Sequence, residues 1–165
     1  MMIVAKGLTN GTVPMGAVIV RRDIYETVVN NAPAGMVELF HGYTYSGHPL
    51  ATAAALASLD TFEEEGLYQR GQELAPYFEQ AVQSLREMPN VIDVRNMGMV
   101  AGIELESRPG APTARAFETF LKCYEKGVLI RVTGDNIALS PAFIIEKNEI
   151  AKIVETIGQV LPTID

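Results

Sequence analysis

A lysine stands six residues into the chain, directly after the apolar run "MIV" and between the small residues Ala5 and Gly7. The run predicts a short buried strand that ends at Lys6, and open α/β sheets bind ligands at the ends of their strands. An amine desolvated at such a point loses proton affinity, and a neutral amine can attack a carbonyl to form a Schiff base. The competing interpretation is an ordinary surface lysine, since lysines are rarely buried.

A second group of polar side chains lies in "HGYTYSGHP", directly before an alanine-rich segment. The free N–H groups at a helix N-terminus suit a phosphate, and Thr44 and Ser46 would add hydroxyl donors. A loop that simply caps the helix with aromatic side chains would give the same pattern. No nucleophile stands near His41 or His48 in the sequence.

The third candidate is Arg131, in the segment "GVLIRVTGD". Alternation along a strand predicts that Leu129 and Arg131 share one face. The opposite face then carries Val128, Ile130 and Val132. An arginine in a buried strand needs an anionic partner, and its planar fork matches a carboxylate with two parallel bonds. An arginine on a solvated sheet face needs no partner, and the sequence leaves both interpretations open.

The composition excludes several classes of function. The chain has 165 residues and a net charge of −7, which argues against binding to nucleic acid or to an anionic membrane surface. A single cysteine, Cys123, permits no internal disulfide, which fits a reducing compartment and favours a cytoplasmic protein. With two histidines besides, the chain has too few ligands for a Cys/His zinc site, so no metal is predicted. The start of the chain lacks the basic and apolar segments of a signal peptide.

The elements divide the chain into two unequal parts. From about residue 67 the order is helix, two strands, helix, two strands, helix, which predicts a small α/β unit with a mixed or antiparallel sheet. The first 48 residues hold only two short strands, one helix and a long loop, and two strands alone are marginal in water. The N-terminal part is therefore expected to belong to something larger.

Several local signals fix the expected element boundaries. Pro49 predicts the start of a helix and Gly66 a break after it, with a second helix running to about Arg86. Thr113 is the expected N-cap of the next helix, in which Cys123 serves as a small hydrophobic residue. The segment 128–132 is predicted to be a strand, and the last helix is expected to begin near Lys147.

Three long segments occur in the order "AKGLTNGTVPMGAVI", "FHGYTYSGHPLATAAALASLD" and "VLIRVTGDNIALSPAFII". Together they resemble the C-terminal portion of the class III aminotransferases, in the omega-amino acid–pyruvate (beta-alanine–pyruvate) branch, over essentially the whole chain. The resemblance implies an α/β fold of the pyridoxal 5′-phosphate (PLP)-dependent, fold-type I transferases. Residues 1–60 would then be the end of the large, cofactor-binding domain, and residues 61–165 the small C-terminal domain.

The resemblance also implies roles for individual residues. Lys6 matches the lysine that binds PLP covalently and then moves a proton between substrate and cofactor. Thr44 matches a residue that binds the cofactor phosphate of the neighbouring subunit, and Tyr43 lines the same shared site, so a homodimer or higher oligomer is expected. Arg131 matches the arginine that takes the substrate carboxylate. The implied reaction transfers an amino group from an omega-amino acid such as beta-alanine to pyruvate.

Family members are much longer than this chain, and much of their cofactor site has no counterpart in these 165 residues. The missing parts are the turn that holds the phosphate, the aromatic ring that stacks on PLP and the aspartate that pairs with its ring nitrogen. We therefore expect Lys6 to be solvated and the chain to be inactive alone, with an apolar patch centred on the helix Leu50–Leu59 that drives association. The alternatives are a non-catalytic α/β interaction module or dimerising fragment, and a related PLP enzyme such as a diamine transaminase or an aminomutase.

Overall fold

The structure is a computed structural model that describes all of residues 1–165, and the chain divides into Met1–Glu65 (unit 1) and Gly66–Asp165 (unit 2). Unit 1 begins with a two-stranded antiparallel ladder in which Met2 lies opposite Ile19. Its elements are β1 (Met2–Ala5), a 3-10 turn (Lys6–Thr9), β2 (Gly16–Ile19), α1 (Arg22–Asn30) and α2 (Pro49–Glu64). The predicted domain boundary between residues 60 and 61 falls within α2.

Unit 1 has almost no interior. Its only buried residues are Thr9, Ala51 and Ala55. The two alanines allow α2 to lie close to the 3-10 turn, where the Ser58 hydroxyl donates to the carbonyl of Gly7 at 3.4 Å. Large apolar side chains elsewhere in the unit are open to water, and that of Phe40 is 96% exposed. Burial on this scale does not offset the conformational entropy of ordering about 65 residues.

The solvent-accessible surface area of the chain is 11316 Å². Two separate compact proteins with the lengths of the two units would together expose about 9,600 Å². The excess is comparable to the surface that a standard protein–protein interface buries, roughly 1,600 Å². The chain therefore carries surface of the kind that other polypeptide normally covers.

We expect amide hydrogen exchange to separate the two units. The amides of β1, β2 and α1 should exchange orders of magnitude faster than those of the unit 2 core, because opening a segment with so few buried contacts costs little free energy. Exchange detected by mass spectrometry on a demonstrated monomer measures this directly. Equal and high protection of both units in that monomer would contradict the prediction.

Unit 2 is a four-stranded antiparallel sheet with three helices. The strands are β3 (Val91–Met97), β4 (Val100–Leu105), β5 (Arg131–Thr133) and β6 (Asn136–Leu139), in the spatial order β3-β4-β6-β5. The helices are α3 (Leu67–Gln83), α4 (Ala114–Glu125) and α5 (Lys147–Val160), followed by a 3-10 turn (Leu161–Thr163). The order and the antiparallel sheet agree with the sequence analysis.

One core joins the helices to one face of this sheet. Ile103 and Ile137 at its centre are fully buried, and all three helices contribute to the same cluster of 21 buried hydrophobic residues. The opposite face carries Arg95, Gly102 and Ala138 and has no helix of unit 2 packed on it. An antiparallel sheet commonly leaves one face uncovered by its own helices in this way.

Two local expectations were wrong, and a third was confirmed in position only. α3 ends at Gln83 and not near Arg86, since the chain tightens into turns through residues 84–88. Thr113 is the N-cap residue of α4, as expected, but its side chain makes no cap bond: its backbone is left-handed (φ 71°), and its N–H donates to the Asp135 carboxylate at 2.9 Å. β5 begins only at Arg131, since its ladder with β6 ends at the pair Arg131–Ala138 and residues 128–130 have no partner in it.

The chain has no helix with the length and hydropathy that crossing a membrane requires.

Candidate active-site residues

Lys6 lies at the end of a strand, as the sequence predicted. It follows β1 directly, opens the 3-10 turn and has a left-handed backbone with φ 53°, which is uncommon for a residue with a side chain. Its side chain is exposed and makes no hydrogen bond or ion pair. The amine is therefore accessible to a carbonyl compound, but nothing in unit 1 desolvates it.

Tyr43 and Thr44 lie in the loop between α1 and α2, and both are exposed. The ring of Tyr43 meets that of His41 edge-on, with centroids 4.2 Å apart, and the carbonyl of Tyr43 accepts a hydrogen bond from the Ser46 N–H at 3.1 Å. This turn leads to His48, which occupies the N-cap position of α2 without a side-chain cap bond. No hydrogen bond joins Lys6 to Tyr43 or to Thr44.

Arg131 opens β5 and lies opposite Ala138 of β6. The predicted alternation is confirmed, since Val128 and Ile130 are buried whereas Leu129 is 74% exposed. Arg131 is exposed, and it is the one arginine of the chain that has no hydrogen-bonding or ion-pair partner. Of the two interpretations of Arg131, the structure therefore has the arginine on a solvated face of the sheet. All five N–H donors of its guanidinium are free to bind a planar anion.

The register places Arg131 in a row that crosses the uncovered face of the sheet. Ala138 lies opposite Arg131, Gly102 lies opposite Ala138, and Arg95 lies opposite Gly102. Because Gly102 and Ala138 are small, a shallow cavity of about 450 Å³ lies beside them and Arg95, and Arg131 does not line it. Asn136 also lines this cavity, and its buried Oδ1 atom has no hydrogen-bond partner.

The two arginines of this row differ in their electrostatic state. Arg95 pairs with Asp93 at 2.8 Å and with Glu104 at 2.7 Å, and these hydrogen bonds raise the pKa of its guanidinium. Its charge is thus balanced within unit 2. Arg131 has no such balance, so an added carboxylate would bind at Arg131 in preference to Arg95.

Sequence reasoning did not single out Gly102. A Cβ at this position would stand 3.1 Å from Oδ1 of Asn136, so a larger residue would displace that side chain and fill the cavity. A glycine inside a strand is a signal for close approach of another group, and "GMVAGIEL" contained that signal.

Sequence reasoning also missed Arg115, which is 7% exposed. Its guanidinium donates to the backbone oxygens of Glu106 and Asp165, the latter at 2.8 Å, so it holds the C-terminal residues against α4.

Cys123 has the predicted structural role, since it is fully buried and this burial raises the pKa of its thiol to about 11. No group of three or more His, Cys, Asp or Glu side chains is arranged to hold a metal ion.

Comparison with known proteins assigns the class of fold first. The chain superimposes on an adenosylmethionine-8-amino-7-oxononanoate aminotransferase from Methanocaldococcus jannaschii with a TM-score of 0.85 and 30% identity, covering 99% of this chain and 38% of that one. A thermostable (S)-enantioselective omega-transaminase from Thermomicrobium roseum also gives a TM-score of 0.85 with 30% identity, covering 98% of this chain and 36% of the other. The α/β fold is thus part of the transaminase fold.

The family follows from the sequence comparison. The profile of the class III aminotransferases matches residues 1–161, and the chain belongs to this family. It is 56% identical over 161 residues to an omega-aminotransferase of Caulobacter vibrioides and 44% identical over 162 residues to a beta-alanine–pyruvate aminotransferase of Pseudomonas aeruginosa. Each match covers 98% of this chain and 36% of the relative, so the chain spans about a third of the length of these proteins.

Proposed function

We propose that this chain supplies the lysine and the carboxylate-binding arginine of an enzyme that transfers amino groups between an omega-amino acid, such as beta-alanine, and pyruvate. The observation that carries the proposal is Arg131: an exposed arginine without a partner, in a row otherwise balanced in charge. Bidentate binding of a carboxylate is what this geometry serves best. The names of the relatives support the choice of an omega-amino acid and pyruvate.

The residues present fit PLP in chemical type but not as a complete site. Lys6 offers a primary amine at a strand end, and Thr44 and Tyr43 offer hydroxyl groups for a phosphate. PLP, when bound, would supply the electron sink for the reaction. Lys6 would hold the cofactor and carry the proton, and Arg131 would orient the substrate by its carboxylate. Because all four side chains are exposed in this chain, we propose that transamination requires the longer polypeptide that the relatives possess.

The test is a grafted enzyme, in which residues 1–161 replace the matching segment of the Caulobacter omega-aminotransferase. We expect it to transfer amino groups from beta-alanine to pyruvate. A folded, PLP-loaded graft without any transaminase activity would contradict the proposal. The oligomeric state of the graft, determined in parallel, tests whether the protein is a homodimer. The cytoplasmic location stays a prediction.

Arg131→Ala should act differently in the graft and in the isolated chain. In the graft, Arg131→Ala should strongly lower kcat/KM for donors that carry a carboxylate and should affect plain amines less, because only the carboxylate-bearing donors lose a charge-assisted pair.

In the isolated chain, Arg131→Ala should change the free energy of unfolding by less than about 1 kcal/mol, as exposed substitutions usually do. There we expect no better than millimolar binding of pyruvate by calorimetry, since an exposed ion pair contributes only about 0–1 kcal/mol. Micromolar binding that Arg131→Ala abolishes would mean that this chain carries a finished anion site.

A further inference from the structure

The strand that begins with Arg131, β5, is attached to α4 near both of its ends. Before the strand, the N–H of Val128 donates to the carbonyl of Cys123, in the last turn of α4, at 2.9 Å. After the strand, the turn to β6 carries Asp135, whose carboxylate accepts a hydrogen bond from the N–H of Thr113, the N-cap residue of α4, at 2.9 Å. Arg131 lies between these two attachments in the sequence.

The attachment at Asp135 uses all of its side-chain oxygens. Oδ1 accepts the hydrogen bond from Thr113, and Oδ2 accepts one from the hydroxyl of Ser107. The backbone carbonyl of Asp135 also accepts a hydrogen bond from the N–H of Leu105 at 2.8 Å. Hydrogen bonds to an ionised carboxylate are stronger than neutral ones, and the N-terminus of a helix favours negative charge. The turn is therefore tied to the end of β4, to the loop after β4 and to the start of α4.

The pairing of β5 within unit 2 is too short to fix the strand firmly by itself. β6 pairs with β4 through four residue pairs, whereas β5 pairs only with β6, through three. Arg131 belongs to the pair that lies farthest from the turn. Because an isolated pair of short strands is marginal in water, the direction of β5 depends on what holds its two ends.

The orientation of Arg131 follows from its backbone, because its side chain has no hydrogen-bonding or ion-pair partner in the chain. Asp135 is the acidic residue closest to Arg131 in the sequence, and its carboxylate is held by Ser107 and Thr113 instead. A guanidinium at the end of a long side chain moves further than the backbone when the strand rotates. Displacement of a binding group by about 1 Å can cost about 10²-fold in rate.

We propose that Asp135 is a positioning residue for carboxylate recognition: by tying the β5–β6 turn to α4, it sets the direction in which Arg131 meets the substrate carboxylate. This inference rests on the function proposed above for Arg131. Asp135 itself touches no substrate and acts through Arg131. Its loss should therefore impair donors that carry a carboxylate more than amines that have none, because only the former use Arg131.

The first test compares two donors in the graft. Beta-alanine and propylamine have the same chain length, and only beta-alanine carries a carboxylate. Asp135→Ala removes both side-chain hydrogen bonds, so we expect the ratio of kcat/KM for beta-alanine to kcat/KM for propylamine to fall at least about tenfold. Asp135→Asn keeps an acceptor for the Thr113 N–H and an amide group for the Ser107 hydroxyl, and its ratio should stay within about threefold.

Two further variants separate positioning from general loosening of the fold. In a graft that already carries Arg131→Ala, Asp135→Ala should change the ratio by less than about twofold, because the contribution made through Arg131 is already lost. The matched control is Glu146→Ala. The carboxylate of Glu146 accepts a backbone N–H at the start of α5, much as Asp135 does at α4, but it does not contact the β5–β6 turn. Glu146→Ala should leave the ratio unchanged.

Amide hydrogen exchange on the 165-residue chain tests the attachment without any catalysis. Asp135→Ala should speed exchange at residues 131–133 at least about tenfold relative to the amides of β3 and β4, since the strand loses one of its two attachments. Asp135→Asn should not. If the unsubstituted graft has no transaminase activity, the proposed function fails, and exchange still decides whether Asp135 holds β5.

Three results would overturn the inference. One is unchanged exchange at residues 131–133 in the Asp135→Ala chain, which would mean that Asp135 does not hold the strand. A second is an equal loss of activity with beta-alanine and with propylamine, which would mean that Asp135 only stabilises the fold. The third is an undiminished effect of Asp135→Ala on the ratio in the Arg131→Ala graft, which would mean that Asp135 does not act through Arg131.

Discussion

Replacing Lys6 by alanine in the grafted enzyme should abolish amino transfer. Lys6 would both anchor the cofactor and carry the proton, and removing a general base alone costs about 10²–10⁴-fold in rate. With the anchor lost as well, we expect kcat/KM with beta-alanine and pyruvate to fall by at least about 10³-fold. Reduction with borohydride followed by peptide mapping should show PLP attached at Lys6 in the unsubstituted graft and no attachment in the variant.

The matched control is Lys152→Ala, an exposed lysine on α5 that has no proposed role. It should leave the activity of the graft unchanged. Retention of most of the activity by the Lys6→Ala graft would show that another amine does the chemistry.

The isolated chain is expected to behave differently from the graft. Added PLP should leave no reducible attachment at Lys6, and an adduct trapped there by borohydride would show that this chain encloses the cofactor by itself.

The second large effect concerns the unit 2 core. Ile103→Ala should lower the free energy of unfolding by about 2–5 kcal/mol, because it removes three buried methyl or methylene groups and leaves a cavity between sheet and helices. Ile103 is fully buried at the centre of that cluster. Urea unfolding followed by circular dichroism gives the difference from the shift in midpoint.

Ile92→Ala provides the control for this measurement. Ile92 lies on the same sheet but is 60% exposed, so its truncation should change the unfolding free energy by no more than about 0.5 kcal/mol. Equal losses for the two isoleucines would mean that the core of unit 2 is placed wrongly.

The elements of unit 2 could be predicted from the sequence because their signals are local. The break at Gly66 and the start of α5 near Lys147 were predicted correctly, and the alternation around Ile130 indicated the inner face of the sheet. What failed depended on tertiary contacts. The start of β5 depends on where its ladder with β6 ends, and the N–H of Thr113 is bound by a carboxylate from the β5–β6 turn. The residues next to these positions in the sequence do not reveal either contact.

For the candidate site as well, the sequence predicted the local features and missed those that depend on the pairing of strands. The positions of Lys6 at a strand end and of Arg131 on an exposed face follow from short-range patterns, and the structure has both. The row from Arg131 to Arg95 spans four strands, and only the register of the sheet brings those residues together. The unpaired Oδ1 of Asn136 above Gly102 likewise depends on a pairing that the sequence does not encode locally.

The uneven distribution of buried residues has a consequence for synthesis of the protein. Residues 1–65 leave the ribosome before residues 66–165, and domains generally fold as units in that order. Here the earlier unit has three buried residues, whereas the later one holds the whole hydrophobic cluster. β1, β2 and the loop before α2 are therefore synthesised before the hydrophobic cluster of unit 2, and chaperones and proteases can reach them while that cluster is still to be made.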